Sequence, residues 1–568
     1  MVNVKNLFGM AVMATALVAC SSNDDLASNG HEGNQTGEAY VSFRINLPTT
    51  SGTRVAGDPT FDGGDKNEYA VKDAALLLFQ KEGSDFKFKE VVDLGNMEPW
   101  TASKPGGGIT TTAKLTAKIT TAEVGANKGY YALIVLNNNS ETAPKITYPA
   151  VGQTYADWSQ KEANATANYL KYDNGFFMAN APKYVAGAPE TLVEIKNIYA
   201  SKQQAENSTA TTVYVERGLA KVSLASTSAK HVDITDGNYA GDMVDIEGWT
   251  LDVTNTKTYP VHVTEGLWAD TWKTTATTDA TNGATMDRFH DTKLTSEFPR
   301  VYWGLDPNYS TNFASVADCE GEFTMATKAN FKTGDEAKKA QYCLENTFDI
   351  DHMVQGQTTR VLFSAKYTPN GFTAGETFYK MGNSSQLWNA DKVEAQIKAK
   401  AMEVLGEADA SKVTVTLAAE GNDMTKSGVR LVAAANITYG TTALTTKQVD
   451  EINAKLGFKK ATTTDAAVGL STYESGVSYY VARVKHFNEL TPWAPGNDTY
   501  AGNNANWLGR YGVLRNNWYE LSVSSVSGPG YPDVPKVNPT DPDDVNDQYI
   551  NVEVKILDWA KRSQSIDL

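Results

Sequence analysis

Cys20 closes the run Leu17-Val18-Ala19-Cys20, and polar Ser21-Ser22-Asn23-Asp24-Asp25 follow it. Upstream lie a cationic start at Lys5 and a short apolar stretch from Leu7. That order is an export signal, and small residues before a cysteine form the lipobox, in which the thiol is acylated and becomes the new N-terminus. The apolar core, about 13 residues, is too short to span a bilayer stably, so attachment is expected through lipid alone. A second covalent step is expected at Arg54. It is the one Arg in the small-residue loop Thr49–Pro59, and exposed polar loops are where proteases cut; cleavage there leaves Val55 first. The remaining cysteines, Cys319 and Cys343, are 24 positions apart. In an oxidising compartment they suit a disulfide worth roughly 3 kcal/mol, the other reading being two separate buried thiols. Neither has zinc-ligand spacing.

Further catalytic patterns are missing. None of the six histidines falls in a metal-binding pair, and there is no nucleophile elbow, Walker loop or dinucleotide fingerprint. Asp62-Gly63-Gly64-Asp65-Lys66-Asn67-Glu68 resembles a cation loop without its full set of acidic ligands, and a solvated turn is the plainer reading. A carboxylate pair meeting only in space stays open. No catalytic residue, metal or cofactor is expected. The formal charge of −16 argues against a nucleic-acid partner.

The elements that must hold these residues are mostly strands. A chain of 568 residues exceeds one hydrophobic core and calls for at least two domains. Tyr, Thr and short alternating apolar runs favour β structure. Residues 21–38 read as a polar tether. Then Val41, Phe43, Ile45 and Leu47 alternate with polar residues as a half-buried strand. Strands follow at Ala74–Phe79, Lys114–Ile119, Tyr130–Leu136 and Val213–Leu224. A boundary is placed near 225–230. Beyond it strands are expected at Val244–Val253, Thr358–Tyr367, Val477–Val484 and Leu514–Val526. Two amphipathic helices, Asp391–Leu405 and Thr445–Leu456, interrupt the second half, the latter with a Thr445/Gln448 capping box and Gly457 as its stop. Both are expected to pack on the sheets. From Gly528 to Asp547 a Pro/Asp-rich stretch reads as an extended linker, and past it stands an isolated strand with Ile550, Val552, Val554 and Ile556 alternating. The organisation expected is signal 1–20, propeptide 21–54, sandwiches 55–227 and 228–527, and linker plus strand 528–568.

Two strands therefore carry matching apolar stripes. Either fits one groove of an incomplete sandwich, and four such side chains are worth very roughly 6–12 kcal/mol before entropy. Cutting at Arg54 would free the first strand, and the tail of a neighbouring copy could replace it. Such head-to-tail joining builds filaments. The plainer reading leaves each strand in its own domain.

The sequence resembles the fimbrilins of type V pili, specifically minor-fimbrium shaft subunits of anaerobic Gram-negative bacteria. The resemblance lies in Leu-Val-Ala-Cys20, Thr53-Arg54-Val55-Ala56, the run Val213-Tyr-Val-Glu-Arg217-Gly-Leu-Ala220-Lys-Val and Gly248-Trp249-Thr-Leu. It continues in Tyr479-Tyr480 before His486, Tyr511-Gly-Val-Leu-Arg515-Asn516-Asn517-Trp-Tyr519-Glu-Leu, and Val552-Glu-Val-Lys-Ile-Leu-Asp-Trp559. It is weak over about 265–355 and 380–470. It implies a mainly β fold of two transthyretin-like sandwiches, here with short helical insertions in the second, and an outer-membrane lipoprotein precursor cut by an arginine-specific protease. It further implies polymerisation by strand exchange with copies of itself and accessory subunits, and a role in adhesion. A glycan-binding surface lipoprotein, with 11 Trp available for stacking on sugars, is the alternative.

Overall fold

The computed structural model describes residues 38–48, 66–97, 101–102, 109–140, 143–161, 163–164, 169–171, 173–264, 289, 298–308, 313–348, 352–417, 429–462, 467–486, 508–543 and 550–557. Residues 38–568 form one compact unit. Its architecture is mainly β, as expected.

The N-terminal half is a nine-stranded sheet. Its main strands are β1 (Ala39–Pro48), β2 (Ala74–Glu82), β3 (Asp85–Gly95), β4 (Ile109–Ile119), β5 (Gly125–Leu136), β6 (Met178–Asn180), β7 (Val193–Ile198) and β8 (Thr211–Arg217). They run in the order β3-β2-β5-β6-β8-β1-β4, with β7 beside β5 and the short Thr101–Ala102 beyond β4. The apolar runs of β2 and β5 are buried on both faces. Leu76, Leu78, Ile134 and Leu136 join a cluster with β1, while Leu77, Phe79, Leu133 and Val135 pack the other way, with Phe177, Leu219 and Leu344. Two-sided burial explains why residues 130–136 read as a continuous apolar run rather than an alternation.

The expected strand Val213–Leu224 is two strands. β8 stops at Arg217, and β9 (Leu219–Leu224) belongs to a different sheet. Gly218 is the change-over point; a Cβ there would meet the Tyr169 hydroxyl at 2.3 Å and the Phe177 ring at 3.1 Å, so only glycine fits.

The C-terminal half is a second sandwich. Its remaining main strands are β10 (Met243–Asp252), β11 (Gln341–Leu344), β12 (Arg360–Thr368), β13 (Val477–Arg483), β14 (Trp518–Val526) and β15 (Ile550–Leu557). One sheet runs β11-β9-β14-β15, and the facing sheet is built on β10-β12-β13. Val222, Tyr519, Leu521 and Val523 on one side meet Trp249, Phe363, Ala365 and Tyr480 on the other. Helix α1 (Lys202–Asn207) lies over β1 and β4.

The two expected helices are α2 (Ala390–Leu405) and α3 (Thr446–Lys455), with Thr445 as N-cap in a full capping box. They do not simply lie on the sandwich. Val393, Ile397, Val449 and Ile452 pack together with Val413, Val415 and Ile437 of short strands, in a core of their own.

The stretch expected to be an extended linker is a strap bound to the second sandwich. Tyr531 exchanges backbone hydrogen bonds with Tyr479 (2.9 and 2.8 Å), the Tyr480 hydroxyl donates to the Gly528 carbonyl (3.0 Å), and the Arg360 guanidinium donates to the Pro535 carbonyl (2.6 Å). Val537 and Asp543 are buried, the latter against Arg510. Proline-rich backbone lacks internal hydrogen bonds, and here side chains from distant strands supply them.

Candidate strand-exchange groove

Val41, Phe43, Ile45 and Leu47 are each at most 1% exposed, and they sit on an interior strand. β1 pairs with β8 in parallel, Phe43 to Asn46 lying beside Thr211 to Tyr214, and with β4 in antiparallel fashion along its whole length. Its inward residues pack on Leu76, Leu78, Ile119, Ile134, Val213 and Val215. Its polar face is also engaged. The Ser42 hydroxyl lies 2.8 Å from that of Thr116 and donates to the Ala205 carbonyl (2.7 Å), and Asn46 accepts from Thr112 (2.7 Å). Arg44 stands opposite Lys114. At the strand's start, Tyr40 and Tyr199 exchange backbone hydrogen bonds, and Glu38 forms a salt bridge with Lys118.

The tail strand occupies the edge of the other sandwich. β15 pairs antiparallel with β14, from Trp518 beside Leu557 to Val526 beside Ile550. Among the described residues it has this one ladder partner, and Val552 is buried in the second core. In this chain, then, the tail stripe of Ile550, Val552, Val554 and Ile556 belongs to a strand on its own C-terminal sheet.

Cys20, Arg54 and Val55 lie outside the described residues. Cys319 and Cys343 correct the expected pairing: both are free, buried thiols in separate apolar clusters. Burial pushes the Cys319 thiol up to about 11 and that of Cys343 to about 12, so neither is a reactive thiolate near neutrality. Spacing along the chain could not reveal that their elements are packed into different cores.

Residues 471–565 match the family model described as Major fimbrial subunit protein type IV, Fimbrillin, C-terminal. Over these residues the chain is similar to fimbrillin C-terminal regions. That is in line with the resemblance seen in the sequence, and it covers β13, β14, the strap and β15. No curated protein matches the chain. Among solved structures, a candidate cell adhesion protein from Parabacteroides distasonis aligns at 12% identity and TM-score 0.38, covering 92% of this chain and 98% of that one. The tip fimbrial protein from Porphyromonas gingivalis, solved with a C-terminal truncation, aligns at 11% identity and TM-score 0.29, covering 92% and 100%. A fimbrial assembly protein from Parabacteroides distasonis aligns at 12% and 0.25, covering 61% and 93%. With TM-scores below 0.5 these likenesses are loose, and no residue correspondence follows from them.

The C-terminal part is tied to the N-terminal sheet by buried charge that sequence reasoning missed. Glu216, at the end of β8, accepts from Arg300 (3.1 Å) and lies 2.9 Å from His262 Nδ1. Arg300 also donates to the Arg515 carbonyl (3.0 Å), and the Arg515 guanidinium meets Glu345 at 3.1 Å. Alongside, Glu68 takes the Lys221 ammonium at 2.8 Å and the Tyr342 hydroxyl at 2.5 Å, while Arg217 donates to the Glu68 carbonyl and to Asn516. Glu68 is thus fully buried and not part of a solvated turn. Burial alone would raise the Glu216 carboxyl, but His262, Arg300 and Arg515 hold it below the usual range; Lys221 does the same for Glu68. The signal in the sequence was the adjacent pair Glu216-Arg217, placed where an apolar alternation meets a glycine.

Proposed function

We propose that this chain is a structural subunit of a cell-surface fimbrium, of the shaft type. The precursor is anchored in the outer membrane by lipid on Cys20, cut after Arg54 by an arginine-specific protease, and polymerised by insertion of one copy's tail strand into the next copy's groove. Its partners are other copies of itself and accessory fimbrial subunits, and adhesion is the role of the assembled fimbrium.

The observation that supports this reading best is the position of β1. It lies wholly N-terminal to Arg54, yet it fills the interior of a sheet with ladder partners on both sides. Cleavage would leave it held by non-covalent contacts alone. Its departure would expose an apolar slot and two rows of unpaired backbone groups, a state that a replacement strand relieves. The tail strand has the same four-residue apolar stripe. It sits at a sheet edge with one ladder partner, so it is the more easily detached of the two. The fimbrillin match over 471–565 includes it.

Two measurements test the proposal. Filament protein should begin at Val55 on N-terminal sequencing, without lipid; a start at acylated Cys20 within filaments would defeat the processing step. A chain lacking residues 548–568 should fold and be cleaved but remain monomeric on size-exclusion chromatography. Filaments formed by that truncated chain would show that the tail is not the donor.

A further inference from the structure

We infer that Glu553 of one copy pairs with Lys114 of the next, replacing a like-charge contact that weakens the hold of the original strand. The inference rests on the strand-exchange reading above and specifies the contact that favours exchange.

Arg44 and Lys114 are direct cross-strand partners in the antiparallel ladder of β1 and β4, and both are exposed. Side chains so opposed have Cβ atoms about 4.5–5.5 Å apart, and like charges there are destabilising. The Lys114 ammonium donates to the backbone carbonyl of Glu206 at 2.8 Å, a neutral partner. The precursor thus keeps an unfavourable pair at the middle of the strand that must leave.

The tail relieves it. Val41-Ser42-Phe43-Arg44-Ile45-Asn46-Leu47 and Ile550-Asn551-Val552-Glu553-Val554-Lys555-Ile556 have the same apolar alternation. Laid in the same direction with Ile550 in the place of Val41, the tail puts its four apolar residues in the four buried positions. Asn551 then replaces buried Ser42 beside Thr116, Lys555 replaces buried Asn46 beside Thr112, and Glu553 comes opposite Lys114. A repulsive pair becomes an attractive one at unchanged apolar pattern. Registers that keep the apolar face inward differ by two residues, and each neighbour puts a polar or charged residue into one of the four buried apolar positions. Advanced by two, the tail sets Lys555 against Lys114 and places Asp558 in the buried position of Leu47. Withdrawn by two, it places Gln548 in the buried position of Val41 and Asn551 opposite Lys114.

The test uses full-length protein cleaved after Arg54, with polymerisation followed by size-exclusion chromatography. E553K and K114E should each slow or weaken joining about three- to tenfold, the effect of exchanging an attractive cross-strand pair for a repulsive one. Because K114E also gives Arg44 of the original strand an attractive partner, the double variant K114E/E553K should join about as well as E553K alone, far better than the sum of the two losses, and the coupling should shrink in 1 M salt. R44E, which gives the original strand the favourable partner, should retard exchange while leaving the tail untouched. Independently, thiols in K114C and E553C should crosslink between copies in filaments, whereas K114C with N551C or with K555C should not. Additive single-variant losses, or crosslinking in one of the control pairs instead, overturns the pairing. If the chain lacking residues 548–568 still polymerises, it is the strand-exchange reading that fails; if that chain is inert but the charges are uncoupled, only the present inference fails.

Discussion

Taking an ionised side chain out of water costs several kcal/mol unless its counter-charge and hydrogen bonds come with it. Glu216, Arg300, Arg515, Glu345 and His262 supply one another's counter-charges, each at most 3% exposed. Removal of one member would therefore leave its neighbours uncompensated, and the cluster reacts to pH in a definite direction. Glu68 and Glu216 have folded-state values depressed below the ordinary 4.5. Groups of that kind stabilise the fold above their unfolded value, and the contribution is lost as pH falls through the folded value. The urea midpoint should hold steady from neutrality down to about pH 5 and decline below 4.5. In Glu216→Gln, which has no proton to take up at that position, the decline should be shallower; an equally steep profile would mean that Glu216 is not among the groups that titrate. At this scale the sequence was least readable. Phe43 and its stripe were visible because alternation is a local property. His262 and Arg300 were not, since nothing near them in the chain announces a partner dozens or hundreds of residues away, and the two cysteines misled for the same reason: a disulfide needs converging Cβ atoms, not a spacing.

Secondary-structure elements were legible wherever a local rule sets them. β1, β5 and β15 followed from apolar pattern. Helix α3 followed from its cap, where Thr445 N–H donates to Gln448 Oε1 (3.0 Å) and Thr445 Oγ1 accepts from Gln448 N–H (3.4 Å). Thr445→Ala should cost about 1 kcal/mol. Because α3 belongs to a separate core with α2, hydrogen exchange should quicken in residues 446–455 and not in β1; acceleration throughout would mean that this core is not independent. Elements were misjudged where a remote contact decides. The run Val213–Leu224 has the composition of one long strand, and the Tyr169 hydroxyl pressing on Gly218 divides it. The stretch after Val526 has the composition of a spacer, and Arg360, Tyr480 and Arg510 bind it down. In that strap Gly530 has φ 61°, and a Cβ would meet the Tyr479 carbonyl at 2.5 Å; the close approach was not visible from the glycine alone.

For the whole molecule, the first strand contributes stability that the cleaved chain must recover elsewhere. Loss of its four buried side chains removes very roughly 6–12 kcal/mol of apolar burial before entropy terms. Cleaved, unpolymerised protein depleted of residues 1–54 should melt well below the precursor in scanning calorimetry, and a peptide of residues 548–568 should raise the melting temperature again. Equal melting temperatures would mean that β1 does not support the sheet. The single-residue change-over at Gly218 has a mechanical meaning in such an assembly. A pull arriving through a strand seated beside β8 passes along the backbone through Gly218 into β9. β9 pairs in parallel with β14, Lys221 to Leu224 beside Trp518 to Leu521, and β14 leads through the strap to the tail proposed to grip the following copy. The tension thus runs along the strands and loads each ladder in shear, where its hydrogen bonds share the force together, instead of peeling them one at a time. With one glycine and a buried ion cluster at the joint, there is little slack to take up before that resistance begins.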